Sequence, residues 1–322
     1  MIHRRTFLAS SVITSIWPLA IPASANTKPL KIGLISDIHK DIIHDADDRL
    51  KTFIDEMQLA HVDAILQLGD FCIPKPANEP FLDIFNRFEG PKYHCIGNHD
   101  TDGGFKRDDT VKFWRMPSRF YSFDLGGFHF IVLDANDKPP GHKGGYPKFI
   151  ADDQLQWLEM DLRKTSLNTF IFSHQSLERP DCIINQADVR ALIQSAKTET
   201  GQQKVSACFN GHWHIDHARN IANIPYIHIN SASYIWLNDP KVRGPRLSPE
   251  LSRKFPTVAS TIPYTRPLFT ILEIDPLNQA FSIHSRHAEW LGPGPEAIGY
   301  HPAGVEQQML YPGIRARKWN YR

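Results

Sequence analysis

The sequence predicts an α/β fold in which two packed sheets of mixed strand direction are flanked by helices on both outer faces. Three observations lead there. Strand and helix patterns alternate as βαβαβ from Leu30 to Ile96, which calls for parallel strands joined by helical crossovers. The apolar run Arg119–Asp134 is broken at Gly126-Gly127, a hairpin turn that adds antiparallel strands. A second alternation of helix and strand from Leu155 to Phe209 then gives way to strands alone.

Residues 1–25 precede this fold and read as an export signal: Arg4-Arg5 in a basic start, an apolar stretch from Phe7 to Ala20, and the small-residue site Ala23-Ser24-Ala25. Arg4-Arg5-Thr6-Phe7-Leu8 resembles a twin-arginine signal, and Ser10, Ser11, Thr14, Ser15 and Pro18 dilute the stretch below the ~20 apolar residues of a spanning helix. The expectation is a folded protein delivered to the periplasm by the twin-arginine export machinery, with no stable membrane anchor after cleavage. An uncleaved anchor or a chance Arg-Arg pair are the alternatives.

The mature chain opens with the strand Leu30–Ile35, which ends in Ser36-Asp37-Ile38-His39. Leu50, Phe53, Ile54 and Met57 then recur at helical spacing, and the strand Ala64–Leu68 ends in Gly69-Asp70. A helix near Phe81–Phe88 leads to the strand Lys92–Ile96, which ends in Gly97-Asn98-His99-Asp100. After the hairpin, Leu155, Leu158 and Leu162 mark a helix, and Thr169–Phe172 a strand ending in Ser173-His174. Val189, Leu192, Ile193 and Ala196 mark another helix, before the strand Val205–Phe209 and Gly211-His212-Trp213-His214. The glycine there is expected to let the chain turn sharply off the strand. Tyr226–Ile229, Pro267–Ile274 and Phe281–Ser285 read as strands, while Tyr234–Thr265 has no clear period and is expected to form a lid. Beyond Arg286 the chain is rich in Gly and Pro and ends in the basic, aromatic stretch Arg315–Arg322. The division is therefore a signal at 1–25, a domain at 26–286, and a tail at 287–322 that packs on the domain or extends from it.

Lys and Arg number 36 against 35 Asp and Glu, so no global field favours a nucleic-acid polymer, and any anion site must be local. Export permits disulfides among Cys72, Cys95, Cys182 and Cys208, whose pairing the sequence leaves open, but no Cys-x-x-Cys spacing suggests a metal site. Cys95 and Cys208 lie in strand-like runs and read as small buried hydrophobes.

Five strand ends carry chemistry: Asp37 with His39, Asp70, Asn98 with His99, His174, and His212 with His214. Each residue alone has an ordinary explanation, as a helix cap, a turn residue or a satisfied core histidine. Jointly those explanations fail, because five independent strands finish in carboxylate, amide or imidazole at the carboxyl edge, where open α/β sheets bind ligands.

In order and spacing these segments resemble the calcineurin-like metallophosphoesterase superfamily, whose pattern is Asp-x-His, Gly-Asp, Gly-Asn-His-Asp/Glu, a later His, and Gly-His-x-His. The resemblance implies a four-layer αββα sandwich. It assigns Asp37, His39, Asp70 and His214 to one metal, and Asp70, Asn98, His174 and His212 to a second, with Asp70 shared. A mixed carboxylate, imidazole and amide set suits two divalent or transition ions such as Mn, Fe or Zn. The implied reaction is hydrolysis of a phosphate ester by water activated between the ions, with His99 protonating the leaving oxygen and Asp100 orienting its ring.

One position departs from the pattern: Ile73 stands three residues after the shared aspartate, where many relatives carry Asp, Asn or Tyr. Ile73 cannot be a ferric ligand, which disfavours the purple acid phosphatases, and Ile73-Pro74-Lys75 also replaces the Arg-bearing motif of protein phosphatases. The small substrate expected is a phosphodiester or a nucleotide-derived pyrophosphate, held by Phe105, Lys106, Arg107, Trp114 and Arg115 of Thr101–Ser118 and by His142, Lys143 and Tyr146 of Lys138–Lys148. The alternatives are a phosphomonoesterase of the same superfamily or a non-catalytic binding protein on the same fold.

Overall fold

The computed structural model describes residues 28–180 and 182–321; the expected signal at 1–25 lies outside the described residues. Strand β1 (Leu30–Ile35), helix α1 (Ala46–Leu59), β2 (Ala64–Gln67), α2 (Glu79–Asn86) and β3 (Lys92–His94) form the expected βαβαβ unit. Next come α3 (Arg107–Phe113), the hairpin of β4 (Tyr121–Leu125) and β5 (Phe128–Leu133), α4 (Asp152–Lys164), β6 (Thr169–Ser173), α5 (Gln186–Ser195) and β7 (Val205–Asn210). The remaining chain adds β8 (His217–Ile221), β9 (Ile224–His228), β10 (Tyr234–Trp236), α6 (Pro249–Lys254) and β11 (Thr261–Pro263). It closes with β12 (Thr270–Asp275), β13 (Ala280–Ile283), β14 (Arg286–His287), β15 (Gly313–Ile314) and β16 (Arg317–Asn320).

Two six-stranded sheets result, in the orders β16-β13-β12-β1-β2-β3 and β4-β5-β6-β7-β9-β8. β1, β2 and β3 are parallel, whereas β12, β13 and β16 run antiparallel to their neighbours. In the second sheet β5, β6, β7 and β9 are parallel, with antiparallel strands at both edges. The carboxyl ends of the parallel strands in both sheets meet at one edge of the sandwich, and the candidate ligands sit there.

The layers follow from which residues are apolar. On α1, Leu50, Phe53, Ile54 and Met57 form the buried stripe, and Met57 rides directly on β1, where a Cβ on Gly33 would stand 2.4 Å from its sulfur. β5 is buried on both faces: Phe128, Phe130 and Val132 join the core between the sheets, while Ile131 and Leu133 pack beneath Leu158 and Leu162 of α4 and Val189 and Ile193 of α5. Between the sheets, Phe170 of β6 meets Phe281 of β13 with ring centroids 5.3 Å apart. The architecture is the expected αββα sandwich.

Two sequence expectations change. The tail is part of the domain: β16 is an edge strand paired with β13, with Trp319 opposite Phe281, and Tyr300, Ile314 and Tyr321 are buried. No boundary falls at 286. The stretch Tyr234–Thr265 holds α6 and the antiparallel pair β10–β11, so the chain after β9 is not strands alone. Cys72, Cys95, Cys182 and Cys208 are all buried free thiols. No helix among the described residues is long and apolar enough to cross a membrane.

Candidate metal centre

Hydrogen bonds between strand ends assemble the site before any side chain acts. The Asp37 N–H donates to the Gly69 carbonyl at 3.0 Å and the His39 N–H to that of Asp70 at 2.9 Å, which lashes the ends of β1 and β2 together. Gly211 N–H donates to the His174 carbonyl at 3.1 Å and does the same for β6 and β7. Ser231 and Ser233 hydroxyls donate to the carbonyls of Asp37 and Ile38, each at 2.8 Å. These bonds hold five candidate ligands in the left-handed region: Asp37 (φ 52°), His39 (51°), Asp70 (50°), His212 (70°) and His214 (52°). A residue with a Cβ adopts that conformation at a cost of about 1–3 kcal/mol, and such strain gathers where function over-determines the backbone.

The side chains form two clusters, a buried one of Asp37 with His39 and His214, and one of the buried Asp70 and His174 with the half-buried His212. In the first, His214 Nε2 is 3.2 Å from Asp37 Oδ1 and 3.3 Å from His39 Nε2. In the second, His174 Nε2 is 3.1 Å from Asp70 Oδ2 and 3.2 Å from His212 Nδ1. Asp70 Oδ2 is also 3.6 Å from His39 Nε2, so this one oxygen stands between the clusters. Asp70 Oδ1 accepts the His99 N–H at 2.8 Å, which fixes the carboxylate in that orientation.

The outer nitrogens set the tautomers. His214 Nδ1 donates to the Tyr234 carbonyl at 2.6 Å and His174 Nδ1 to that of Leu68 at 2.8 Å, so each neutral ring presents its Nε2 lone pair inward. Burial alone would raise the Asp70 carboxyl, but His174 and His39 outweigh it and hold it well below the usual carboxylate range. Burial likewise opposes a proton on His174, yet Asp70 and Asp37 push that imidazole up to about 9. His212 goes the other way, down to about 3, through burial and its neighbour His174. A site where Asp70 stays ionised despite burial and, with Asp37, draws a proton onto the buried His174 is suited to positive charge.

Asn98 supplies the independent test of that fit. Its Oδ1 is buried with no hydrogen-bond partner among the described residues, an unfavourable state for an amide oxygen, and Asn98 lines the same cavity as Asp70 and His212. A hard oxygen donor beside imidazole and carboxylate completes a second ligand set. Two divalent cations therefore fit the donors present: Asp37, His39, Asp70 and His214 around one, Asp70, Asn98, His174 and His212 around the other. Ile73 is an apolar wall of a small hollow that also borders His39, Asp70 and His99.

His99 lies at the rim of this centre, and its partner differs from the one expected. Its Nδ1 is 2.7 Å from Asp102 Oδ2. Asp100 is instead turned inward, where its carboxylate accepts N–H bonds from Gly97 at 2.7 Å, Asp70 at 2.8 Å and Phe71 at 2.7 Å. A short 3₁₀ turn over His99–Gly104 makes the exchange, pointing the next residue into the core and bringing the third one back. Asp100 thus braces the loops that carry Asp70, and Asp102 holds the ring. Burial opposes the proton on His99, but the Asp102 hydrogen bond and the Asp70 charge raise the imidazole above its usual value.

A cavity of about 840 Å³ opens over the centre, lined by Asp70, Asn98, His99, His212 and His214, with Tyr146, Lys148, Trp213, Trp236 and Tyr300 in its walls. Of the loop residues expected there, Tyr146 is present. Phe105 and Arg115 border a different hollow, Arg107 pairs with Asp134 at 2.6 Å and Asp137 at 2.7 Å, and Trp114 is buried against His94. His142 is tied to the Gly145 carbonyl within its own loop. Trp213, which stands between His212 and His214, Trp236, and Tyr300-His301 from the expected tail supply the aromatic surface instead. The signal for the last pair was an aromatic residue and an imidazole inside a Gly- and Pro-rich stretch.

Fold and site together define a four-layer sandwich built to hold a pair of cations at the strand ends of two sheets. Residues 30–216 match the calcineurin-like phosphoesterase family, and the chain belongs to it. A manganese-dependent ADP-ribose/CDP-alcohol diphosphatase of Oryza sativa subsp. japonica is 26% identical, over 43% of this chain and 56% of that protein. Purple acid phosphatase 21 of Arabidopsis thaliana is 27% identical, over 34% of this chain and 28% of its own length. The chain thus spans about half or less of these relatives. In structure it resembles a dimetal phosphatase from Danio rerio, with a TM-score of 0.57 and 16% identity over 81% of this chain and 96% of that one. It also resembles an anchor of the inner membrane complex of Plasmodium, with a TM-score of 0.54 and 14% identity over 91% of this chain and 89% of that one. Both share the fold.

Proposed function

We propose that the protein hydrolyses phosphate esters with two bound divalent cations, and that its substrates are small phosphodiesters or nucleotide-derived pyrophosphates. One observation carries the reading: Asp70 Oδ2 lies 3.6 Å from His39 Nε2 and 3.1 Å from His174 Nε2, one oxygen common to two ligand clusters on the floor of an open cavity. When bound, the cation pair supplies Lewis-acid charge for the phosphoryl oxygens and acidifies the attacking water. Manganese, iron or zinc matches the donors, and manganese is the metal in the name of the rice relative.

The chain's own contribution is position and proton transfer. Asp37, His39, Asp70, Asn98, His174, His212 and His214 hold the cations, in a frame set by the strand-end hydrogen bonds. His99, held at Nδ1 by Asp102, keeps Nε2 for the leaving oxygen. The cavity is far larger than a phosphate group, and Trp213, Trp236 and Tyr300 line it, which favours a substrate with an organic group on the far side of the phosphorus. The name of the rice relative, a diphosphatase, supports the pyrophosphate half of the proposal. The Arg4-Arg5 signal supports action in the periplasm after twin-arginine export.

The test is a metal-supplemented panel of nitrophenyl phosphate, bis-nitrophenyl phosphate, cyclic nucleotides, nucleoside diphosphate sugars and glycerophosphodiesters. The diesters or pyrophosphates should give the highest kcat/KM, and chelator should abolish turnover. A higher kcat/KM on the monoester than on every other substrate would overturn the substrate class, and no turnover with any metal would overturn the hydrolase.

A further inference from the structure

The geometry points to Tyr146 as a positioning residue of the reaction: we propose that its hydroxyl, with the Asp102 carboxylate, fixes the imidazole of His99 and places the departing group on the side of the cavity formed by Tyr146 and Trp236. The inference rests on the hydrolase reading of the site and names the machinery behind its acid.

Tyr146 comes from the loop between β5 and α4, 47 residues away from His99 in sequence. Its hydroxyl is 2.8 Å from Asp102 Oδ1 and 3.0 Å from His99 Nδ1, while the other Asp102 oxygen is 2.7 Å from the same Nδ1. Both carboxylate oxygens are therefore used, one by the phenol and one by the ring N–H. A carboxylate held at one oxygen can swing about its last torsion, whereas one held at both cannot, and the Asp102 side chain is 35% exposed. The phenol supplies that second hold.

The ring contacts point the same way. The His99 imidazole packs against Tyr146 at 4.8 Å between centroids and against Trp236 at 5.9 Å, nearly parallel at 22°. With Nδ1 occupied by Asp102 and Tyr146, only Nε2 can serve a substrate. As the bond from phosphorus to the leaving oxygen breaks and its electron pair passes to that oxygen, the Nε2 proton moves to it. The ring is left neutral with its Nδ1–H still donated to Asp102, and water restores the Nε2 proton. The leaving group must then lie within reach of Nε2, on the cavity side where Tyr146 and Trp236 pack against His99.

Tyr146 is 42% exposed, and a surface phenol ordinarily bonds to water. Its neighbours Gly144 (φ 122°) and Gly145 (φ 77°) hold left-handed conformations, with no atom within 4 Å of where a Cβ would be. The turn is shaped to deliver the phenol rather than to pack.

Tyr146→Phe keeps the ring and removes the hydroxyl. Turnover of a glycerophosphodiester, whose alkoxide needs a proton, should fall about tenfold in kcat, part of the 10²–10⁴-fold that a general acid supplies. Turnover of bis-nitrophenyl phosphate should fall less than about twofold, because nitrophenolate leaves without one. In a His99→Ala background Tyr146→Phe should have no further effect, and Asp102→Glu should recover part of the loss caused by Asp102→Asn. Equal losses for both substrates, or a full tenfold loss persisting without His99, would make Tyr146 a substrate or packing contact and overturn the proposal. Unchanged kcat on the glycerophosphodiester would overturn it too. Wild-type protein inactive on both substrates with every metal would instead reject the hydrolase reading itself.

Discussion

A Cβ on Gly97 would stand 2.2 Å from Oδ1 of Asp70, a separation that real Cβ atoms essentially never show. The same holds for Gly211, whose Cβ would meet Asp37 Oδ2 at 2.3 Å, and for Gly69 against His174 Nδ1 at 2.5 Å. Gly69 also needs its left-handed φ of 101°, but Gly97 and Gly211 are absent from the left-handed set. Glycine before His212 thus serves close approach, and the sharp turn expected of it falls on His212 and His214 themselves.

Gly97→Ala is therefore expected to displace the shared carboxylate. Metal analysis should find fewer than two cations per chain, and turnover should fall at least about a hundredfold, as for a misplaced group at a reacting centre. Two cations and wild-type turnover in this variant would show that the site has more room than the structure gives it.

Asp100 and His99 are neighbours with opposite expected phenotypes. Asp100→Ala strands three buried N–H donors, each costing about 1–3 kcal/mol, so it should lower Tm markedly. Any activity that survives should show the wild-type ratio between alkyl and nitrophenyl leaving groups. His99→Ala should leave Tm nearly unchanged and cut kcat on alkyl esters about 10²–10⁴-fold, with nitrophenyl esters affected less. Thermal melts and the two-substrate ratio separate the cases, and a selective loss on alkyl esters in Asp100→Ala would return the orienting role to that residue.

The cluster of candidate ligands was legible because five apolar runs each stop at a carboxylate, amide or imidazole on the carboxyl edge of a strand, and the structure brings those ends together. Asp37, Asp70, His174 and His212 each have an ordinary explanation alone, and only their joint pattern carried the reading. The partner of His99 was not legible, since Asp100 and Asp102 are both acidic and only the turn over His99–Gly104 decides which faces the ring. The cavity wall was hidden for a different reason. Trp236 is placed by the pairing of β10 with β11, and Tyr300 is brought beside that strand when its hydroxyl accepts the Asn238 N–H at 3.2 Å, a contact between residues 62 apart that no local pattern announces. Trp114 and Arg107 misled because the core and the Asp134–Asp137 pair claimed them first.

Stability should depend on pH through His129, on β5. Burial disfavours its proton, but Asp161 at 2.9 Å and Asp124 at 2.6 Å outweigh that and raise it above the ordinary 6.5. Folding therefore favours the protonated ring, so its contribution is complete below the ordinary value and lost as pH rises through the raised one. With Asp124 largely exposed and screened, the effect is about 1 kcal/mol. The Tm difference between wild type and His129→Gln should be largest near pH 5.5 and shrink by pH 9, and a difference that grows with pH would contradict the assignment.

Asp216, two residues after His214, ties the end of the chain to the metal centre. It is fully buried, Arg315 and Arg317 reach it at 2.6 Å each, and its N–H donates to the Met309 carbonyl at 3.0 Å. The segment Gly299–Leu310 that these bonds pin is the one that brings Tyr300 and His301 to the cavity. Arg179 adds a second pin, donating to the Gly304 carbonyl while its guanidinium lies 4.7 Å from the centre of the Trp213 ring. Asp216→Asn keeps the shape and removes the charge that both arginines share. Because those arginines are partly exposed, the stability loss should be about 2 kcal/mol rather than the 3–5 kcal/mol of a wholly buried pair. The His212 N–H bond to Asp37 and the His214 bond to Tyr234 do not involve Asp216, so both cations should remain and kcat should change little. KM for a substrate with a large organic group should rise several-fold as the wall loosens, while KM for a small methyl diester should hold. A fall in kcat with loss of a cation would mean that Asp216 supports the ligand turn and not the wall.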